Sequence, residues 1–133
     1  MKQFASIFMM FIAMFAMGNR PAGGLKTQVH SKQCAMVEFT DQVKLLNVFL
    51  KGQYLFVHDD SKMARGEPCT WVYRQKSGQP DELILSFHCQ PIERKPVAHF
   101  TVTVARLGDQ VDVREVKEYQ FAGSDEGHRV PEP

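Results

Sequence analysis

Side chains that bind soft metal ions recur from the middle of this chain onward: His58, Met63, Cys69, His88 and Cys89, with His128 near the C-terminal end. Imidazole, thiolate and thioether together suit copper or zinc, and a loop closing over strand ends is a common way to collect them. The spacing selects no particular metal, because Cys-x-x-Cys and His-x-x-x-His pairs are absent. On a regular strand His88 also points away from Cys89, since neighbouring side chains face opposite sides. The competing reading bridges Cys69 to Cys89. His58 then ends a strand with a hydrogen bond to the Asp59-Asp60 turn, and Met63 anchors a loop.

Other chemistries have less behind them. Asp59, Asp60 and Glu67 offer oxygens that would suit calcium, but Lys62 and Arg65 stand between them and neutralise the segment. A polar network is expected there instead, with Arg65 forked onto Asp59 or Asp60. Cys34 is the odd cysteine of three. His30 precedes it by a spacing that would meet only on a helix, in a segment too polar to be expected as one, so a buried or intermolecularly paired thiol is expected. Gly-x-Ser-x-Gly, His-Glu-x-x-His and phosphate-cradling glycine loops are absent, and no catalytic residue is assigned.

The element that must position the two cysteines is a β-hairpin. Cys69 to Arg74 and Leu83 to Cys89 flank a turn region with Ser77-Gly78 and Pro80. Pairing Tyr73 with Leu85 puts Trp71 opposite Phe87 and Cys69 opposite Cys89, all on one face. That register brings the sulfurs within bonding reach. A disulfide there would close a loop of about twenty residues and add about 3 kcal/mol by the chain-entropy argument.

Strands are expected on both sides of the hairpin. Val43 to Leu50 and Gln53 to His58 flank a turn at Lys51-Gly52, with Tyr54, Phe56 and His58 on one face. Asp59 to Pro68 reads as a loop. Ala98 to Arg106 and Val111 to Phe121 form a hairpin through Leu107 to Gln110, and Ala122 to Pro133 reads as an irregular tail. Five or six short strands with frequent turns predict an all-β domain, a small antiparallel β-sandwich or barrel, over residues 25–121.

Before it, Met1 to Gly24 carries Lys2, the apolar run Phe4 to Met17 and a small-residue stretch, the pattern of a signal peptide with a short polar linker. The run is too short to span a bilayer, so no stable membrane anchor is expected after cleavage, and the mature protein is expected in the periplasm or secreted. With Lys2 set aside, fifteen Lys and Arg balance fifteen Asp and Glu, which argues against a nucleic-acid partner. Five of the seven methionines belong to the signal, so methionine content is no argument for copper.

Gly52 to Cys69 (Gly-Gln-Tyr-Leu-Phe-Val-His-Asp-Asp-Ser-Lys-Met-Ala-Arg-Gly-Glu-Pro-Cys), Ser86 to Pro91 (Ser-Phe-His-Cys-Gln-Pro) and Tyr119 to His128 resemble a group of small, uncharacterised exported bacterial β-domain proteins. The resemblance implies a fold and a compartment, and brings no activity, cofactor or site residue. The function expected from the sequence is therefore an exported binding or structural module for an unidentified protein or small ligand, without a cofactor and with a disulfide-stapled hairpin. The alternative is a copper- or zinc-binding or thiol redox protein built on His58, His88, Cys69 and Cys89.

Overall fold

The computed structural model describes residues 31–79 and 81–133. The expected signal segment and His30 lie outside them. The described chain is almost entirely β: β1 (Lys32–Leu45), β2 (Val48–Asp59), β3 (Thr70–Arg74), β4 (Glu82–Phe87), β5 (Gln90–Glu93), β6 (Thr101–Leu107), β7 (Gln110–Gln120) and β8 (Glu126–Arg129), with one short helix, α1 (Asp60–Ala64). All eight strands belong to one sheet, ordered β4-β3-β2-β1-β7-β8-β5, with β6 on β7. The sheet curls into a half-barrel. Its strand pairings are antiparallel except β1 with β7, which run parallel at Val43–Arg114 and Lys44–Glu115.

The first hairpin turns earlier than Gly52. Leu46 and Asn47 make the connection, with Leu46 at φ 53, and β2 runs on through Gly52. Gly52 has φ 97 and pairs with Phe39 where the β1 register shifts, so it serves a bulge instead of a turn. The long strands this leaves give β2 an unbroken alternation, and Tyr54, Phe56 and His58 are all buried on one face.

That face is the concave, aromatic side of the sheet. Phe56 lies 5.5 Å from Tyr119 and 5.5 Å from Phe100, and Tyr119 meets Phe121 edge-on at 5.7 Å. Val72, Phe87 and Val116 are buried in the same cluster. Burying side chains of this size contributes about 2 to 3 kcal/mol each, which is why the sheet curls to enclose them.

Two sequence expectations need correction. The Cys69–Cys89 hairpin pairs Thr70 with Phe87, Trp71 with Ser86 and Val72 with Leu85, one residue from the expected register, with a shift before Tyr73. A slip of one residue exchanges the faces, so Val72 and Phe87 enter the core, while Trp71 stays half-buried, its Nε1–H donating to the Pro68 carbonyl at 3.0 Å. The tail, expected to be irregular, instead forms β8, which pairs with β7 through Tyr119–His128 and with β5 through Pro91–His128. The sheet therefore extends beyond residue 121, and Val130 is buried in the core.

Candidate metal centre

His58 is the last inward position of β2. Cys69 precedes β3 by one residue, Cys89 occupies the two-residue link from β4 to β5, and His128 sits inside β8. Four separate stretches of chain thus meet at one end of the concave core. All four side chains are buried, His58 to 1% and His128 to 0% exposure. One ring nitrogen of His58 and the sulfurs of Cys69 and Cys89 lie within 4.8 Å of one another. Cys89 Sγ is 3.8 Å from His128 Nδ1, and the two imidazoles stack with centroids 4.0 Å apart.

Both cysteines are free thiols. The Cys89 backbone N–H donates to Cys69 Sγ at 3.1 Å, an arrangement that favours a thiolate. The Cys89 side-chain hydrogen bond pulls the Cys69 thiol below its ordinary range against the opposing effect of burial, with help from Thr70. That same hydrogen bond and burial push Cys89 up. Burial, then the neighbouring His58, lowers the His128 imidazole to about 4, which keeps it neutral and a potential ligand at physiological pH.

Three nitrogens stand out. His58 Nδ1, His58 Nε2 and His128 Nε2 are buried without a hydrogen-bond partner among the described residues. The Asp60 carboxylate comes within 3.5 Å of His58 Nδ1, too far for an aligned bond. Each such orphan costs about 1 to 3 kcal/mol, so buried polar groups of this kind are normally satisfied.

The geometry suits a small tetrahedral ion. Metal–sulfur bonds near 2.3 Å and metal–nitrogen bonds near 2.0 Å put tetrahedral donor atoms about 3.3 to 3.8 Å apart. The Cys89–His128 separation already lies at the upper end of that range. Beneath the cluster the Thr70 and Tyr119 hydroxyls share a hydrogen bond, and the Tyr119 ring stacks on His128 at 4.9 Å, fixing the imidazole plane.

Of the six soft-ligand candidates in the sequence, the structure assembles His58, Cys69, Cys89 and His128. His88 is exposed on the other side of the chain from Cys89, as alternation requires, and Met63 is half-buried against the hydrophobic core. The Asp59–Glu67 network differs from expectation. Asp59 caps α1, accepting from the Ser61 backbone N–H at 3.0 Å, Asp60 accepts from the Ser31 hydroxyl at 2.9 Å, and Arg65 pairs with Glu67 at 2.9 Å. Arg65 reaches neither aspartate because α1 turns it outward next to Glu67. Cys34, expected to be buried or paired between chains, is exposed on β1 and so is not a buried thiol.

Glu126 escaped sequence reasoning. Its carboxylate lies within 4.8 Å of donor nitrogens on His58 and His128, and its Oε1 is 3.7 Å from His128 Nδ1. The signal was its place two residues before His128, which shares a face only if the segment is a strand. No family model, no curated protein and no solved structure matches this chain.

Proposed function

We propose that this protein is an exported binding module whose ligand is a metal ion, zinc(II) or copper(I), held by Cys69, Cys89 and His58 with His128 as fourth donor. One observation carries the reading: three buried imidazole nitrogens without hydrogen-bond partners among the described residues lie beside two buried cysteines that are not bridged to each other. A metal ion would take one nitrogen from each imidazole together with both sulfurs, relieving part of this unfavourable polar cluster and cross-linking four strand ends. Export is supported by the apolar run Phe4 to Met17 behind Lys2. Among the described residues no helix is long and apolar enough to cross a membrane. The closed, four-donor set suits holding an ion more than reacting at one, since catalytic sites keep a position open.

The test is titration of the reduced mature protein with zinc(II) and, anaerobically, copper(I), followed by native mass spectrometry. One ion per chain is expected, with cobalt(II) giving the spectrum of tetrahedral thiolate coordination, and loss of binding in Cys69→Ser, Cys89→Ser and His58→Ala. A native mass two hydrogens light, with Cys34 the one cysteine open to alkylation after denaturation, would instead establish a Cys69–Cys89 disulfide and sink the metal reading.

A further inference from the structure

The donors are graded from rim to floor. Cys69 and Cys89, the soft ligands, are 1% and 8% exposed. Asp60 and Glu126, the hard ligands, show 30% and 43% of their side chains to solvent. His58 belongs to both sets: one of its nitrogens groups with the two sulfurs, and one groups with Glu126 and His128. Its buried Nδ1 has no hydrogen-bond partner among the described residues and faces Asp60 Oδ1 at 3.5 Å. Asp60 is held in that pose by Ser31, which donates to its other oxygen at 2.9 Å. A shallow surface cleft lined by Pro91, Ile92, Glu93, Asp125 and Glu126 opens onto the rim.

A hydrated divalent ion meets oxygen donors more readily than sulfur, and it sheds its water stepwise. We infer that Asp60 and Glu126, with His58 and His128, form a second and transient metal station through which the ion reaches and leaves the thiol floor. This rests on the metal-binding reading above. The carboxylates take the ion from solvent, His58 keeps hold of it as the oxygens let go, and the two sulfurs replace them. For zinc(II) the bound state has two new Zn–S bonds, and whatever protons the two cysteines still hold pass to water.

A station on the route speeds arrival and departure alike and leaves the equilibrium unchanged. The experiment is stopped-flow zinc(II) uptake by the reduced full-length mature protein, and zinc release to a competing chelator, for Asp60→Asn with Glu126→Gln. Both rates are expected to fall about tenfold or more while Kd stays within about threefold. Asp125→Asn with Glu93→Gln removes an equal charge beside the rim without removing a donor, and is expected to keep wild-type rates at 0.5 M salt, where simple attraction is screened. Unchanged rates in the double variant would overturn the station. So would faster release with unchanged uptake, which would make the carboxylates ligands of the final site. If the wild type takes up no zinc, the metal-binding reading itself fails and the station with it; the two failures are separated by that one measurement.

Discussion

Replacing His58 with leucine is expected to raise the stability of the metal-free protein and lower that of the zinc-loaded protein. Leucine is close in volume and keeps the strand's inward apolar alternation. It removes two buried nitrogens that have no partner among the described residues, relieving about 1 to 3 kcal/mol. It also forfeits the ring contact with His128 at 4.0 Å, which offsets about 1 kcal/mol. The net gain is about 0 to 2 kcal/mol, or up to about 15 °C in Tm for a domain near 100 residues. Zinc at a thousand times Kd adds about 4 kcal/mol to the wild type and much less to a chain missing a donor, so the ranking reverses. Thermal melts with chelator and reductant, repeated with zinc, read both signs. A metal-free His58→Leu variant that melts well below wild type would refute the reasoning, because it would show that His58 serves packing and is satisfied in the folded state.

His128 gives a pH signature of the metal-free state. Its folded pKa, about 4, lies below the unfolded value of 6.5, so the unfolded chain binds the proton first as pH falls. Stability is full above pH 6.5 and declines between 6.5 and 4 by up to about 3 kcal/mol, which denaturation midpoints across that range would measure; His128→Phe should flatten the slope. Tyr119→Phe leaves the buried Thr70 hydroxyl without its partner and is expected to cost about 1 to 2 kcal/mol in chemical denaturation, while Tyr119→Phe with Thr70→Val recovers most of it. Gly127→Ala would place a Cβ 2.5 Å from Glu118 Oε1, whose carboxylate is clamped by Arg94 at 2.8 Å, so a loss of about 1 kcal/mol or more is expected by the same assay, reduced when Glu118 is alanine.

Much of the site was legible because β2 keeps strict alternation. Tyr54, Phe56 and His58 could be put on one face from spacing alone, and the structure buries all three. The soft-ligand types near strand ends were visible for the same reason. The hairpin register was not, since Trp71, Tyr73 and Phe87 offered an apolar pattern that fits two alignments one residue apart, and the choice was made by burial of Val72 against Phe56. The first turn was misplaced because glycine at a bulge and glycine in a turn look alike in sequence, and Gly52 is the former. The last strand carried no periodic signal of its own. Glu126 to Arg129 is only four residues long, rich in charge, and is extended because β7 and β5 hold it from both sides.

That last strand sets the timing of the site. His58 and Cys69 belong to neighbouring strands and can meet once β2 and β3 pair, while Cys89 follows with the next strand. His128 arrives seventy positions after His58, on the segment with the weakest preference of its own for a strand. β8 pairs locally with β7, but β7 joins the β1–β2 hairpin through the distant parallel pairing at Val43–Arg114 and Lys44–Glu115, and pairings of that kind form late because they must first overcome the entropy of closing long loops. The proposed four-donor pocket would therefore be complete only when the C-terminal end of the chain has docked. On the proposed metal-binding reading, capture of the ion would mark the completion of folding: chains truncated or stalled before β8 would lack the fourth donor.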